Sequence, residues 1–230
     1  MPVNAKTLIE RNSLFRGLPA KTIDRVTALA TRRSYDDGAI IFMRGDPGDS
    51  LCGVVTGRVR ISASRAGGKE VFLNIMEPGD AFGEIALLDG SPRTATATAT
   101  AMARTELTIL QRDAFFTLLR ADSQLAEHLI QLLCKRVRWT AEQMEDSALL
   151  TVPAKLAKRL LSLAAIHGRP TPEGTRLVIS QEELAQFLGL SRQIVNQHLQ
   201  TWRAKSWLSV GRGSVTLTNP KALTNLTHQP

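Results

Sequence analysis

The sequence has few cysteines, few aromatic side chains and no long hydrophobic run. Its 230 residues include two cysteines, Cys52 and Cys134, too few for a disulfide framework or a cysteine metal cluster. No stretch approaches the roughly 20 consecutive apolar residues of a membrane span, and residues 1–16 contain no apolar run of signal-peptide type. Charged residues make up 22% and hydrophobic residues 43%, which excludes a wholly disordered chain. We therefore expect a cytoplasmic globular protein of one large or two modest domains, with no bound metal and no membrane partner.

Acidic residues are scarce in the last third of the chain. From position 147 to the end there are ten Lys and Arg but three acids, Glu173, Glu182 and Glu183, a net charge of +7. The preceding 146 residues carry 19 Lys and Arg against 18 acids, a net charge of +1. A nearly neutral first part and a basic last third indicate two domains. The basic charge of the second domain either binds a polyanion or is only solvated.

Turn signals divide the region from Tyr35 to Leu110 about every ten residues. Short Val- and Ile-rich runs lie between turn clusters such as GDPGD and EPGD, a pattern typical of an antiparallel sandwich or barrel. The alternating string TATATATAMA at 94–103 predicts a strand. Residues 4–33, in front of this region, have apolar residues at helical spacing and predict short helices.

A long helix is predicted from about Asp122 to Ser147 because apolar residues recur there with heptad spacing. Such spacing over three heptads is what one helix of a two-stranded coiled coil needs. The alternative is an amphipathic helix packed only on its own domain. Thr140 is a polar residue on this seam, where such residues usually set the register or touch another group. The seam positions are Ala126, Ile130, Leu133, Val137, Thr140, Met144 and Ser147.

The remaining residues predict a helical segment followed by a winged one. A helix capped by Thr151 is expected to run to about Ile166, followed by a loop over 167–175 and a strand over 176–179. Ser180 then predicts a further helix N-terminus, because a glutamate three residues later completes a capping box.

Residues 181–200 have the pattern of a helix-turn-helix. The small residue Ala185, the turn glycine Gly189 and the β-branched residue Val195 follow the rhythm with which two such helices pack. Ser191 can cap the second helix, whose exposed face then carries side chains able to read guanine and adenine. These are Arg192, Gln193, Asn196 and Gln197.

A hairpin is predicted after the second helix, with strands at 208–210 and 214–218 and Arg212 at its tip. The alternative for the whole segment is a helical hairpin that binds a protein. The basic charge of this third and the wing favour DNA. The expected DNA-contacting residues are Ser180, Ser191, Arg192, Gln193, Asn196, Gln197 and Arg212.

The strings FGEIALL at 82–88 and PRTA at 92–95 have the chemistry of a phosphate site. Gly83 lets backbone N–H groups approach an anion closely, Arg93 offers a fixed fork of donors, and Thr94 adds a hydroxyl. Glu84 could accept a bond from a sugar hydroxyl or form a plain salt bridge with an arginine, and the residues alone leave both readings open.

These two strings resemble the phosphate-binding cassette of cyclic-nucleotide-binding domains. From about Phe15 to Leu217 the chain resembles the cyclic-AMP receptor protein branch of the Crp–Fnr transcription regulators. The resemblance implies an α+β fold with a cyclic-nucleotide-binding β-roll of double-stranded β-helix or jelly-roll type, preceded by helices, over 1–121. A dimerisation helix over 122–147 and a winged helix-turn-helix DNA-binding domain over 148–230 would follow.

The resemblance further implies a homodimeric regulator without enzymatic activity, controlled by cAMP with cGMP as the alternative effector. Its partners would be a near-palindromic double-stranded DNA operator and RNA polymerase. An effector-free regulator and a nucleotide-binding module that docks on a protein are the rival readings. The cassette residues disfavour the first, and the exposed base-reading side chains disfavour the second.

The resemblance also assigns the nucleotide site. Gly83 and Glu84 would hold the ribose 2′-hydroxyl, and Arg93 and Thr94 would grip the cyclic phosphate. Arg136 would approach the pocket near Glu84. The rest of the expected site is Ile85, Ala86, Thr140, which would meet the purine, and Ala141.

Four positions bear on how closely this chain follows the receptor's pattern. Ala141 stands where the cyclic-AMP receptor has a serine that helps to read adenine, and Thr94 is also the residue of some cGMP-binding domains. Gln193 and Gln197 replace a glutamate and an arginine, so we expect a related but shifted operator.

Overall fold

The computed structural model describes residues 5–64, 70–99 and 104–227. They form two compact units, one within 1–69 and 73–137 and the other within 70–72 and 138–230. The α+β fold expected from the sequence is confirmed, with β-rich structure first and a helix-turn-helix last.

The first unit is built from two four-stranded antiparallel sheets with helices on one side. The sheets have the strand orders β1-β8-β3-β6 and β2-β7-β4-β5. In chain order the elements are α1 Ala5–Arg11, α2 Ala20–Leu29, β1 Thr31–Tyr35, β2 Ile40–Phe42, β3 Ser50–Thr56, β4 Val59–Ser64, β5 Glu70–Met76, β6 Ala81–Phe82, α3 Glu84–Asp89, β7 Thr96–Ala99, β8 Thr105–Gln111, α4 Arg112–Ala121 and α5 Ser123–Leu149.

Two apolar clusters hold these layers together. The first includes Leu14, Phe115 and Leu125, all fully buried, and joins the helices to the outer face of the first sheet. The second includes Phe82 and Leu107 and fills the space between the two sheets. Since burying a leucine or phenylalanine side chain contributes about 1.5–3 kcal/mol, these clusters fix the frame that carries the site.

Two predictions for the first unit need correction. The helical prediction for residues 4–33 is wrong from Thr31 onward, where β1 begins and pairs with β8. Most β1 side chains are exposed, so the strand lacks the apolar alternation that would reveal it. The strand predicted over 94–103 is observed as Thr96–Ala99, and residues 100–103 lie outside the described residues.

The long helix α5 begins where the sequence predicts it. Asp122 caps it by accepting bonds from the backbone N–H groups of Gln124 and Leu125. The hydroxyl of Thr22 also donates to this carboxylate, and these bonds lower the pKa of Asp122. Leu125 and Leu129 pack into the first unit, whereas the helix beyond Val137 belongs to the second.

The second unit contains a four-stranded antiparallel sheet and four further helices. The sheet has the order β11-β12-β10-β9, so β9 and β11 are its edges. After α5, the elements are α6 Val152–His167, β9 Arg169–Thr171, β10 Gly174–Val178, α7 Gln181–Leu188, α8 Arg192–Ala204, β11 Leu208–Gly211, β12 Ser214–Leu217 and α9 Pro220–Thr227.

The loop predicted over 167–175 is largely a hairpin. β9 and β10 pair through a two-residue turn, with Thr171 opposite Gly174. Pro170 is compatible with β9 because this strand lies at the sheet edge, where a missing N–H donor is tolerated. Thr151 does stand at the N-cap position of α6, but its side chain makes no capping hydrogen bond.

Candidate functional site

Gly83 turns the chain from β6 into the short helix α3. Its φ of +88° lies in the left-handed region that favours glycine. A Cβ at this position would lie 2.5 Å from Nη1 of Arg93 and 3.1 Å from the carbonyl oxygen of Ser50. Gly83 is therefore required by both its backbone conformation and the close approach of Arg93.

Arg93 is buried, with 4% of its surface exposed. Its Nη1 donates to the carbonyl oxygen of Gly83 at 2.7 Å, and its Nη2 donates to the carbonyl and hydroxyl oxygens of Ser50 at 2.8 and 3.0 Å. The guanidinium also lies 4.2 Å from the ring centroid of Phe42. Its Nε has no hydrogen-bond partner among the described residues. The arginine is thus held in place by neutral acceptors and an aromatic face.

Glu84 is a buried carboxylate at the start of α3. Its Oε1 lies 2.7 Å from Nη1 of Arg136, and its side chain is 1% exposed. The Nη2 of Arg136 donates to the carbonyl oxygen of Ala81 at 2.5 Å. The ion pair is close, but its direction does not make a hydrogen bond, and neither Glu84 oxygen has such a partner among the described residues. Since buried acceptors are normally satisfied, this carboxylate is suited to accept from a ligand hydroxyl.

Four of the expected nucleotide-site residues meet in the first unit: Gly83, Glu84, Arg93 and Arg136. Ala86 is buried one turn into α3, and the side chain of Ile85 is 45% exposed. Thr94 is exposed beside Arg93.

Thr140 and Ala141 are exposed on the part of α5 that belongs to the second unit. Their expected roles remain predictions.

The sequence did not reveal the residues that hold Arg93. Ser50 and Phe42 lie on β3 and β2, more than 40 positions before Arg93, and no local pattern links them to the cassette. Together with Arg93 they also line an open cleft of about 290 Å³ that reaches Asp46 and Asp49. Only knowledge of the strand arrangement would have identified them.

In the second unit, serines cap both helices of the helix-turn-helix, as predicted. The Ser180 hydroxyl accepts from the N–H of Glu183 at 3.1 Å, and the Glu183 carboxylate accepts from the N–H of Ser180 at 2.7 Å. Gly189 ends α7 with a φ of +64°, and the Ser191 hydroxyl accepts from the N–H of Ile194 at 3.3 Å. These local bonds fix where α7 ends and α8 begins.

The second helix, α8, has one buried and one exposed face. Val195, Leu199 and Trp202 are buried against the unit. The polar face is free to reach a groove of DNA, and Arg212 is exposed in the two-residue turn between β11 and β12. The four expected residues, Arg192, Gln193, Asn196 and Gln197, are all exposed on α8. Exposed residues of this helix also include Ile194, Gln200, Thr201, Arg203 and Ala204.

Within the described residues, no group of three or more His, Cys, Asp or Glu side chains is placed to hold a metal ion. No helix in the same part of the chain is long and apolar enough to cross a membrane.

A cassette of this kind in a β-rich unit, followed by a winged helix-turn-helix, defines a cyclic-nucleotide-binding transcription regulator. Residues 32–122 match the cyclic nucleotide-binding domain, and residues 154–226 match the Crp-like helix-turn-helix domain.

Two relatives and one solved structure extend this match over most of the chain. The CRP-like cAMP-activated global transcriptional regulator of Mycobacterium tuberculosis is 32% identical over 94% of this chain and 96% of its own length. The Cyclic AMP receptor protein of Thermus thermophilus is 33% identical over 88% of this chain and 90% of its own length. The structure of the c-di-GMP-responsive global regulator CLP of Xanthomonas campestris superposes with a TM-score of 0.76 at 27% identity, covering 86% of this chain and 99% of that one. The chain therefore belongs to the CRP/FNR family of transcription regulators.

Proposed function

We propose that this protein is a homodimeric transcription regulator whose effector is cAMP, with cGMP as the competing ligand. The observation that carries the proposal is the buried Glu84 carboxylate, which has open acceptor positions beside Gly83 and Arg93. A ribose 2′-hydroxyl is a donor that would satisfy it.

The surroundings of Arg93 also fit a phosphate. Its donors now meet the neutral oxygens of Gly83 and Ser50. A phosphate would add an opposite charge and bidentate geometry to bonds that now end on neutral oxygens, so a cyclic phosphate would compete well for this guanidinium. We expect the bonds from Arg93 to Ser50 to be exchanged for bonds to the ligand, with the Thr94 hydroxyl adding a further contact.

Fewer residues are expected to recognise the base of the nucleotide than its ribose and phosphate. Thr140 would meet the purine as the resemblance implies, and Ala141 offers no hydrogen bond to distinguish adenine from guanine. The relatives from Mycobacterium and Thermus are named for cAMP, whereas the Xanthomonas neighbour is titled for c-di-GMP. We therefore rank cAMP first, and cGMP and c-di-GMP are the ligands to test against it.

Dimerisation is proposed through α5. Ile130, Val137 and Met144 follow one another at heptad spacing and are 59%, 69% and 70% exposed. A stripe of large exposed apolar side chains on one helix is suited to a second copy of the same helix. Replacing Val137 with glutamate should produce monomers in sedimentation equilibrium, whereas Leu29→Glu, at an exposed apolar residue of α2, should leave the dimer intact.

The DNA contact is proposed through α8 and the wing. In a dimer, two α8 helices about 34 Å apart would enter successive major grooves of a near-palindromic operator. Gln197→Ala should change the preference at one base pair by about 1–3 kcal/mol, measured by selection from a randomised duplex library. Gln124→Ala is the matched control on α5. RNA polymerase is the further protein partner, and the cytoplasm is the expected compartment.

The deciding experiment is calorimetric titration of the protein with cAMP, cGMP and c-di-GMP in parallel. We expect cAMP to bind at one site per chain, and Arg93→Ala to abolish this binding while salt-dependent nonspecific DNA binding persists. Arg58→Ala, at an exposed arginine of the same unit, should bind as the wild type does. If only c-di-GMP gave binding heat, it would take the place of cAMP as the proposed effector. If none of the three nucleotides gave binding heat, an effector-free regulator would be favoured.

A further inference from the structure

A row of four paired residues crosses the whole sheet of the second unit. Arg169 on β9 lies opposite Arg176 on β10, Arg176 lies opposite Thr216 on β12, and Thr216 lies opposite Ser209 on β11. Directly paired residues point to the same side of a sheet, so these four side chains share one face. We name it the arginine face.

The arginine face points away from the core of the unit. Arg169, Arg176 and Ser209 are exposed and Thr216 is half-buried. Leu177 and Val215, which pair with each other on the opposite side of the sheet, are 2% and 0% exposed. The sheet therefore uses one side for packing and leaves the arginine face to solvent or to a partner.

The pairing of Arg169 with Arg176 has an electrostatic cost. Like charges directly opposite each other on neighbouring strands destabilise the pairing. Among the described residues, neither arginine forms a salt bridge. Glu173 is the one acid of this hairpin, and it lies in the exposed turn beyond the paired strands. An anionic partner would remove the repulsion, which makes this pair a candidate binding feature.

The arginine face continues to the tip of the wing. Nη2 of Arg176 lies 3.4 Å from the hydroxyl of Ser214, and Ser214 directly follows the turn that carries Arg212. Ser214 is 6% exposed although it is on the outer side of the sheet, so the Arg176 side chain extends over it toward the wing. Arg169 and Arg176 thus lie side by side, and Arg176 reaches the strand that begins next to the turn of Arg212.

We propose that the arginine face binds the phosphate backbone of DNA beside the operator, extending the contact made by α8 and Arg212. Arginine and hydroxyl side chains are the groups that commonly contact DNA phosphates, and they are what this face offers. The region from residue 147 onward carries a net charge of +7, which suits a polyanion. The inference rests on the proposed DNA-binding function and adds a second contact surface to it.

The test compares the wild type with the double variant Arg169→Ala/Arg176→Ala on two duplexes. One duplex ends at the sequence selected by the wild-type protein, and the other is extended by about one helical turn, about 10 bp, at each end. We expect the wild type to bind the extended duplex more tightly and the variant to lose this gain. The slope of log K against log salt should fall by about 0.9 for each phosphate contact removed, while the preferred base sequence stays the same.

Two further variants serve as controls. Lys221→Ala removes one positive charge from an exposed position on α9 and should keep the wild-type salt slope. The single variant Arg169→Gln changes an exposed residue of an edge strand, so it should fold even if the double variant does not. Melting curves followed by circular dichroism check that Arg169→Gln and the double variant are folded. Because each removes the like-charge pair, we expect a melting temperature equal to or higher than that of the wild type.

A double variant with wild-type affinity and salt slope on both duplexes overturns the inference. If its transcription activation with RNA polymerase is nevertheless lost, the arginine face binds a protein. Failure of the proposed function has a different result, since a wild-type protein without sequence-specific DNA binding would select no sequence from the library. The salt slope on a random duplex still reports phosphate contacts in that case, so the two failures are distinguishable.

Discussion

The buried Glu84–Arg136 pair predicts an unequal response to losing either partner. The carboxylate is 1% exposed, whereas the arginine side chain is 29% exposed. Water can therefore solvate an unpaired Arg136 but not an unpaired Glu84. We expect Arg136→Ala to destabilise the first unit much more than Glu84→Gln does.

Removing one partner of a buried ion pair costs about 3–5 kcal/mol, because an uncompensated charge stays buried. Since the Arg136 side of the pair is partly wet, we expect about 3 kcal/mol for Arg136→Ala, the low end of this range. For Glu84→Gln we expect about 1 kcal/mol, as the arginine keeps its bond to the carbonyl oxygen of Ala81. The combined variant Glu84→Gln/Arg136→Ala should be more stable than Arg136→Ala alone, because no buried charge is left without a partner.

Urea denaturation followed by two probes measures this effect. All three tryptophans, Trp139, Trp202 and Trp207, belong to the second unit, so their fluorescence serves as an internal reference. Far-ultraviolet circular dichroism follows both units. With an m-value of about 2 kcal/mol/M, a loss of 3 kcal/mol lowers the midpoint of the first unit by about 1.5 M.

An exposed pair in the same unit provides the matched control. Arg58 Nε lies 3.0 Å from Glu77 Oε1, and their side chains are 45% and 27% exposed. Arg58→Ala should therefore cost less than about 1 kcal/mol. Equal losses for Arg136→Ala and Glu84→Gln, or a loss for Arg136→Ala no larger than for Arg58→Ala, would refute the reasoning from burial.

Three further predictions concern single residues. Ser180→Ala removes the capping box of α7 and should lower the free energy of unfolding by about 1 kcal/mol, read from tryptophan fluorescence in urea. Gly189→Ala should cost about 1 kcal/mol through its φ of +64° alone, since a Cβ there meets no atom within 4 Å; no change in the urea midpoint would contradict this. Burial raises the pKa of Cys52 to about 12, so a thiol reagent at neutral pH should label exposed Cys134 and reach Cys52 only after unfolding. The unfolded thiol loses its proton first, so the contribution of Cys52 to stability should be lost as pH rises from about 9 to about 12.

Features that depend on residues close together in sequence could be predicted. The capping box of Ser180 and Glu183 and the turn at Gly189 each depend on side chains within a few positions. The heptad spacing likewise located α5 to within two residues at either end, because a helix repeats its own pattern along the chain. Local chemistry decides such elements before any tertiary contact is made.

Features that depend on partners distant in sequence could not be predicted. β1 is mostly exposed and is defined by pairing with β8, about 75 residues later. The β9–β10 hairpin was not predicted because Pro170 lies in β9, and proline is tolerated in a strand only at a sheet edge or a similar position. At the proposed nucleotide site, Glu84 and Arg93 were predicted from the cassette. Their burial and the contacts of Arg93 with Ser50 and Phe42 depend on the strand arrangement and could not be predicted.

The uninterrupted helix α5 has a mechanical consequence. Its 27 residues make a rod about 40 Å long, and Arg136 sits near the middle. Leu149 lies 13 residues further on, a lever arm of about 20 Å. A tilt of about 10° at Arg136 would therefore move Leu149 by about 3.5 Å. A displacement of this size is comparable to the rise of one DNA base pair, so a small change in the angle of α5 at Arg136 would produce a much larger movement at its end.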